Sequence, residues 1–224
     1  MSSRALVVFV RHPRPGSVKT RLVPVLGEGT AAALYRAMAE AVLGETAPGA
    51  GEYERLVFFD PPEAAAEMRA WLPGLRLVPQ SGSDLGARMS HALGHAFARG
   101  AGRAAIVGTD VPGMGRAIVS EALDALDEAD LVIGPAEDGG YYLLALARPQ
   151  PALFEGIAWS TSTVATETLR RAAALGLRVH RLPARRDVDT AFDLREEWPR
   201  VRPLLAANED LRRRLEAALE LAGD

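Results

Sequence analysis

The chain has 224 residues, 48% hydrophobic and 25% charged, with 21 Gly and 15 Pro, so a folded core of one or two domains is expected and disorder is excluded as its main state. Twenty-six basic against 29 acidic residues leave a net charge of −3, which argues against a bulk nucleic-acid or anionic-membrane binder. Cysteine is absent, which removes disulfides, thiolate nucleophiles and Cys-based zinc sites together and suits a reducing cytoplasm.

In chain order, residues 5–10 form a β-branched run without alternation, the pattern of a strand buried on both faces. Six apolar residues are too few for a signal peptide or a membrane span, and no later run approaches the 18 needed, so no membrane insertion is expected. A loop broken by Pro and Gly covers residues 12–19. Thr30 then stands as a helix cap before Leu34, Met38, Ala41 and Val42 on one face. Strands are predicted over 55–59, 75–78 and 104–107. Helices are predicted over 63–71, through Leu85, Met89, Leu93, Ala96 and Phe97, and across 118–126.

Residues 131–133 and 141–146 read as two strands joined by a loop too short for a parallel crossover. Ser162 would cap a helix running to about residue 175, a last strand covers 177–182, and the tail beyond Thr190 is helical but broken at Pro199 and Pro203. Strands alternating with helices give an α/β fold: a mixed, mostly parallel sheet with helices on both faces and one antiparallel strand. One domain over 1–224 is expected, with a core of about 5–195 and a helical tail over 196–224. Ligands of such sheets bind beyond the carboxyl ends of the strands, which directs attention to the loops after Val10, Val78, Val107 and Ile133.

The first of these loops carries Gly16, Lys19 and Arg21, a backbone able to approach a ligand closely with two cations beside it. It is not a Walker A loop, because Pro13 stands where that motif needs Gly. Lys19 is the only lysine in the chain, and it reads as either a phosphate ligand or a solvated loop cation. Asp110 follows the 104–107 strand and reads as a Mg²⁺ ligand or a helix cap. Asp187 and Asp189 are two apart and share a face if extended. One of them could complete the cation site, or Asp189 or Thr190 could cap the following helix.

Glu137 and Asp138 lead into two adjacent glycines and offer a carboxylate base, although a plain turn would also explain them. Residues 80–88 form a polar helix entry able to read a base or sugar, and Trp159 offers a pocket wall. His91 and His95 are spaced four apart, but Ala92 replaces the Glu that the zinc motif requires. Arg212 to Arg214 are interleaved with Leu211 and Leu215, as on a solvated helix face.

The segments 13–22 (PRPGSVKTRL), 83–89 (SDLGARM), 108–112 (GTDVP), 134–142 (GPAEDGGYY), 159–162 (WSTS) and 187–190 (DVDT) occur in this order. Together they resemble a bacterial family of candidate glycosyltransferases, formerly filed as a domain of unknown function and known as radical-SAM/selenodomain-associated or arsenosugar-biosynthesis transferases. The resemblance covers about residues 5–195. KTRL and DVDT are more distantly similar to phospholactate guanylyltransferases, which share the nucleotide-diphospho-sugar transferase (GT-A) fold.

The resemblance implies a three-layer α/β/α GT-A domain. Arg11, Gly16, Lys19 and Arg21 would hold the donor phosphates, and Gln80, Asp84, Gly86 and Arg88 would line the nucleotide or sugar pocket. Asp110 and Asp189 would bind Mg²⁺ or Mn²⁺. Gly139, Gly140, Tyr141, Trp159 and Ser160 would form the acceptor pocket, with Asp138 or Glu137 as base. The partners implied are a nucleotide sugar or nucleoside triphosphate and a small-molecule acceptor. Sugar transfer is the expected reaction, with nucleotidyl transfer and non-catalytic sugar-nucleotide binding as alternatives. The chain departs from the fold's common motifs in two places. Gly108 stands where an Asp-x-Asp would have its first Asp, and Pro13 and Pro15 replace glycines of the nucleotidyltransferase loop.

Overall fold

The structure is a computed structural model that describes residues 3–221; the extreme ends of the expected domain, 1–2 and 222–224, lie outside the described residues. In chain order the main elements are β1 (Ser3–Arg11), α1 (Val23–Leu26), α2 (Glu28–Glu45), β2 (Glu54–Asp60), α3 (Ala65–Trp71), β3 (Leu77–Pro79), α4 (Leu85–Ala98) and β4 (Ala101–Val107). They continue with α5 (Arg116–Ala125), β5 (Leu131–Pro135), β6 (Tyr141–Leu146), α6 (Val164–Ala174), β7 (Val179–Arg181), α7 (Ala191–Glu196), α8 (Trp198–Val201) and α9 (Glu209–Leu221).

The seven strands form one sheet in the order β3-β2-β1-β4-β6-β5-β7. β6 runs antiparallel to both neighbours, and the other pairings are parallel. The β-branched centre of β1 is flanked by two parallel strands, and Val7, Val8 and Val10 are fully buried. On one face, α2, α3 and α5 supply Tyr35, Met68 and Leu123 to the core. On the other, α4 and α6 supply Met89, Leu93 and Ala172. The tail helices bury Leu194, Val201, Leu211 and Leu215 against Leu34 and Met38 of α2, on the side of that helix turned away from the sheet.

Several boundaries differ from expectation for local reasons. Helix α2 starts at Glu28 rather than after Thr30, because Gly27 (φ 74°) ends α1 and caps α2 at once, and only a glycine turns so sharply without strain. The residue before α6 is Thr163, not Ser162. The last strand is shorter than 177–182 because the Leu177 amide still donates to Ala172 O, closing the preceding helix. Leu75 likewise belongs to the turn after α3, where its amide reaches Leu72 O. Among the described residues no helix is long and apolar enough to cross a membrane.

Candidate active site

The strand order reverses between β1 and β4, and at their carboxyl ends lies a cavity of about 770 Å³. Its rim on the β1–β2 side carries Arg11, Arg21, Asp60 and Arg88, and its opposite side carries Asp110, Asp138, Asp187 and Asp189. Asp60 is held between the two flanking arginines, 3.0 Å from Arg88 and 3.8 Å from Arg11. Arg21 lines the cavity without an ion pair among the described residues, so its guanidinium is free for an anion.

Two acidic segments far apart in sequence meet on one backbone bond. The Val188 amide donates to Asp110 O at 2.9 Å, and Val188 itself is fully buried. With Val188 turned inward, Asp187 and Asp189 both face the cavity, as their two-residue spacing requires in an extended segment. Of the capping alternatives, the one at Thr190 holds, and those at Asp110 and Asp189 do not. Thr190 caps α7 in a reciprocal capping box with Asp193, and α5 begins six residues beyond Asp110 with Gly115 as its cap. Neither Asp110 nor Asp189 is thus a helix cap.

Their common partner is Lys19. Its ammonium hydrogen-bonds Asp110 and lies 3.0 Å from Asp189, with the lysine side chain only 2% exposed. Burial pulls its pKa down, but the charges of Asp110 and then Asp189 outweigh that and raise it well above the ordinary value, so the lysine stays charged. Its backbone is left-handed (φ 48°, ψ 42°), shared among described non-glycine residues only with Ser160 (φ 63°) at the far side of the cavity. Lys19 therefore does not project into the cavity as a loop cation; it lies beneath the two carboxylates. Gly16 (φ 77°) does not line the cavity either, and its space is taken by the Glu28 carboxylate.

Asp187 makes no ion pair among the described residues. Burial, followed by the charges of Asp138 and Asp189, pushes its pKa up to about 6. Beneath them Tyr35 of α2 accepts the Arg11 amide at 2.7 Å and hydrogen-bonds Thr109 Oγ1 at 3.0 Å, with burial raising its own pKa to about 12. The sequence offers Asp187 only as an alternative to Asp189 for the cation site, and it does not point to Tyr35 at all. The spacing of Asp187 from Asp189 was the available signal, and for a tyrosine on an apolar helix face there was none.

In the loop between β5 and β6, Asp138 accepts from the Gly140 amide at 2.8 Å and otherwise faces the cavity. Glu137 is turned away, its carboxylate 2.6 Å from Arg186 and lining a separate cavity of about 280 Å³. Gly139 (φ 91°) presses against the Ser162 carbonyl, and its own carbonyl accepts from Ala165, which fixes this loop on the start of α6. Gly86, in the first turn of α4, lies under the Trp159 indole, and no side chain would fit between them. Trp159 in turn stacks on Phe154, and Tyr141 reaches Met89 Sδ at 3.7 Å. Gln80 is buried and donates to Phe58 O, while Asp84 caps α4 through the Ala87 amide. Asp84 is thereby explained by helix geometry.

No set of three His, Cys, Asp or Glu side chains among the described residues is arranged to hold a metal ion, and this includes His91 and His95, which pack edge-on against Phe58. Mg²⁺ bound with substrate phosphates needs only one or two protein carboxylates, however. Asp110 and Asp189 already converge on one cationic nitrogen, so the donor set fits a divalent cation held together with phosphate oxygens.

A family model described as "Uncharacterized protein conserved in bacteria (DUF2064)" matches residues 41–161, more than half of the chain. The protein belongs to that family. The match takes in Gln80 to Arg88, Asp110 and the Asp138 loop, whereas Lys19 and Asp189 lie outside it. The chain is 34% identical to a candidate nucleotide-diphospho-sugar transferase of known structure from Desulfovibrio desulfuricans G20, with a TM-score of 0.86 over 99% of this chain and 98% of that one. It is also 33% identical over 129 residues to the 2-phospho-L-lactate guanylyltransferase of Methanothermobacter thermautotrophicus, covering 57% of this chain and 56% of that protein. The chain thus spans little more than half the length of that curated relative. The inositol-1-phosphate CTP transferase of T. maritima shares the fold at 12% identity, with a TM-score of 0.58 over 92% of this chain and 98% of that one. This member of the family therefore has a nucleotide-diphospho-sugar transferase fold.

Proposed function

We propose that the protein is a divalent-cation-assisted transferase of nucleotide-activated donors, and that it moves a sugar from a nucleotide sugar to a hydroxyl of a small-molecule acceptor. The observation that carries this reading is the split cavity: free and paired arginines at one rim, and at the other a carboxylate, Asp138, whose protein contact is the amide of Gly140. Arg21, with Arg11 and Arg88, would receive the diphosphate. Asp110 and Asp189 would hold Mg²⁺ or Mn²⁺, which when bound neutralises charge on the departing diphosphate. Asp138 would take the proton of the acceptor hydroxyl as its oxygen attacks the anomeric carbon, and Trp159 and Tyr141 would wall that side. The resemblance to arsenosugar-biosynthesis glycosyltransferases points the same way.

The guanylyltransferase relative favours a second reading, in which an acceptor phosphate attacks the α-phosphorus of a nucleoside triphosphate and pyrophosphate leaves. That reaction needs no base, because the acceptor brings its own oxyanion. Product analysis separates the two. Sugar transfer releases a nucleoside diphosphate from a nucleotide sugar. Pyrophosphate released from a triphosphate only when a phosphorylated acceptor is added would overturn the reading in favour of nucleotidyl transfer.

A further inference from the structure

We propose that Lys19 is an internal stand-in for the divalent cation: in the free protein its ammonium occupies the ground between Asp110 and Asp189, and a metal enters only together with a nucleoside diphosphate group that receives the displaced ammonium. This rests on the metal-assisted reading above.

Three observations lead there. Both carboxylates line the cavity, about half exposed, while the lysine that joins them does not and is almost wholly buried. The cation therefore sits behind its anions as seen from the ligand's side. Second, the chain has 25 arginines and this single lysine. The lysine ammonium is a compact point charge, closer in size and shape to a metal ion than a planar guanidinium is. Third, the lysine keeps a left-handed backbone, a conformation that a side chain of this kind holds only when its surroundings demand it.

The electrostatic consequence is a gate on metal binding. A divalent cation arriving alone would gain two carboxylates but would have to sit beside a buried positive charge that has nowhere to go. Arriving with a diphosphate, it brings anionic oxygens to which the freed ammonium can turn. Free metal is thus held off, and metal and nucleotide bind as a unit.

Mn²⁺ titrations followed by electron paramagnetic resonance on the full chain, with and without GDP, test this. The wild type should bind Mn²⁺ weakly alone and much more tightly with GDP. Lys19→Met should bind Mn²⁺ without nucleotide about 10-fold or more tighter than wild type, because a like charge a few ångströms away has been removed. Since Lys19 is the only lysine, its ¹⁵Nζ resonance in the wild type reads the same event without a variant. That resonance should stay in place with Mg²⁺ alone and shift with Mg²⁺ and GDP, which keeps the proposal testable should Lys19→Met fail to fold. Equal Mn²⁺ affinity in the variant and the wild type, with GDP still tightening the wild type, would overturn the stand-in role and leave the metal-assisted reading intact. So would a lysine signal moved by Mg²⁺ alone. Absence of Mn²⁺ binding by both proteins, even with GDP, would overturn both.

Discussion

Asp138 and Glu137 are chain neighbours with different environments. The Asp138 carboxylate faces the cavity with the Gly140 amide as its hydrogen-bond donor, while Glu137 is engaged by Arg186, which also holds Asp193 at 3.3 Å. A positioned base contributes about 10²–10⁴-fold to turnover, so Asp138→Asn should lower sugar transfer by about that factor with donor affinity kept. Glu137→Gln should cost far less, since its carboxylate is spent on a surface ion pair. Steady-state kinetics of the two variants, with donor binding measured by calorimetry, check the contrast. Equal losses in both would remove Asp138 from its role. Sequence alone could not divide the pair, because which of two adjacent acids turns inward depends on how the 137–140 turn is fixed by Gly139 against α6.

Among the elements, α2 does more than cover the sheet. Through Tyr35 it ties the end of β1, at the Arg11 amide, to Thr109 in the loop after β4, and so sets the spacing of the two loops that carry Lys19 and Asp110. Tyr35→Phe would leave the Arg11 amide without this acceptor and should cost about 0.5–1.5 kcal/mol of stability, the usual net contribution of one hydrogen bond. Denaturant unfolding measures it, and unchanged stability would mean that water or a shifted backbone replaces the hydroxyl. The element pattern itself was legible: a buried β-branched run for β1, a short apolar run for β4, helical stripes for α4 and α5, and a short connection that excluded parallel pairing of β5 and β6. Helix starts were less so. Thr30 and Ser162 are good capping residues, but Gly27 and Thr163 stand where the chain turns, and tertiary contacts decide that.

At the scale of the whole molecule, the site is assembled by topology. Asp110 and Asp189 lie on opposite flanks of the antiparallel insertion, and Lys19 is 170 positions from Asp189. Their residue types and their place after strands were readable. That the lysine would lie between the acids rather than beside the arginines was not, because only the fold brings the three together. On the reading proposed above, this trio and the arginine rim form one joint site for metal and nucleotide. Thermal unfolding of the wild type and of Asp110→Asn, each with Mn²⁺, with GDP, and with both, tests it most directly. The wild type should be stabilised by the pair far beyond the sum of the single additions, by about 2.7 kcal/mol at ~100 times the dissociation constant. Asp110→Asn should fold and lose that synergy. Additive shifts in the wild type, or the same synergy in Asp110→Asn, would contradict the claim.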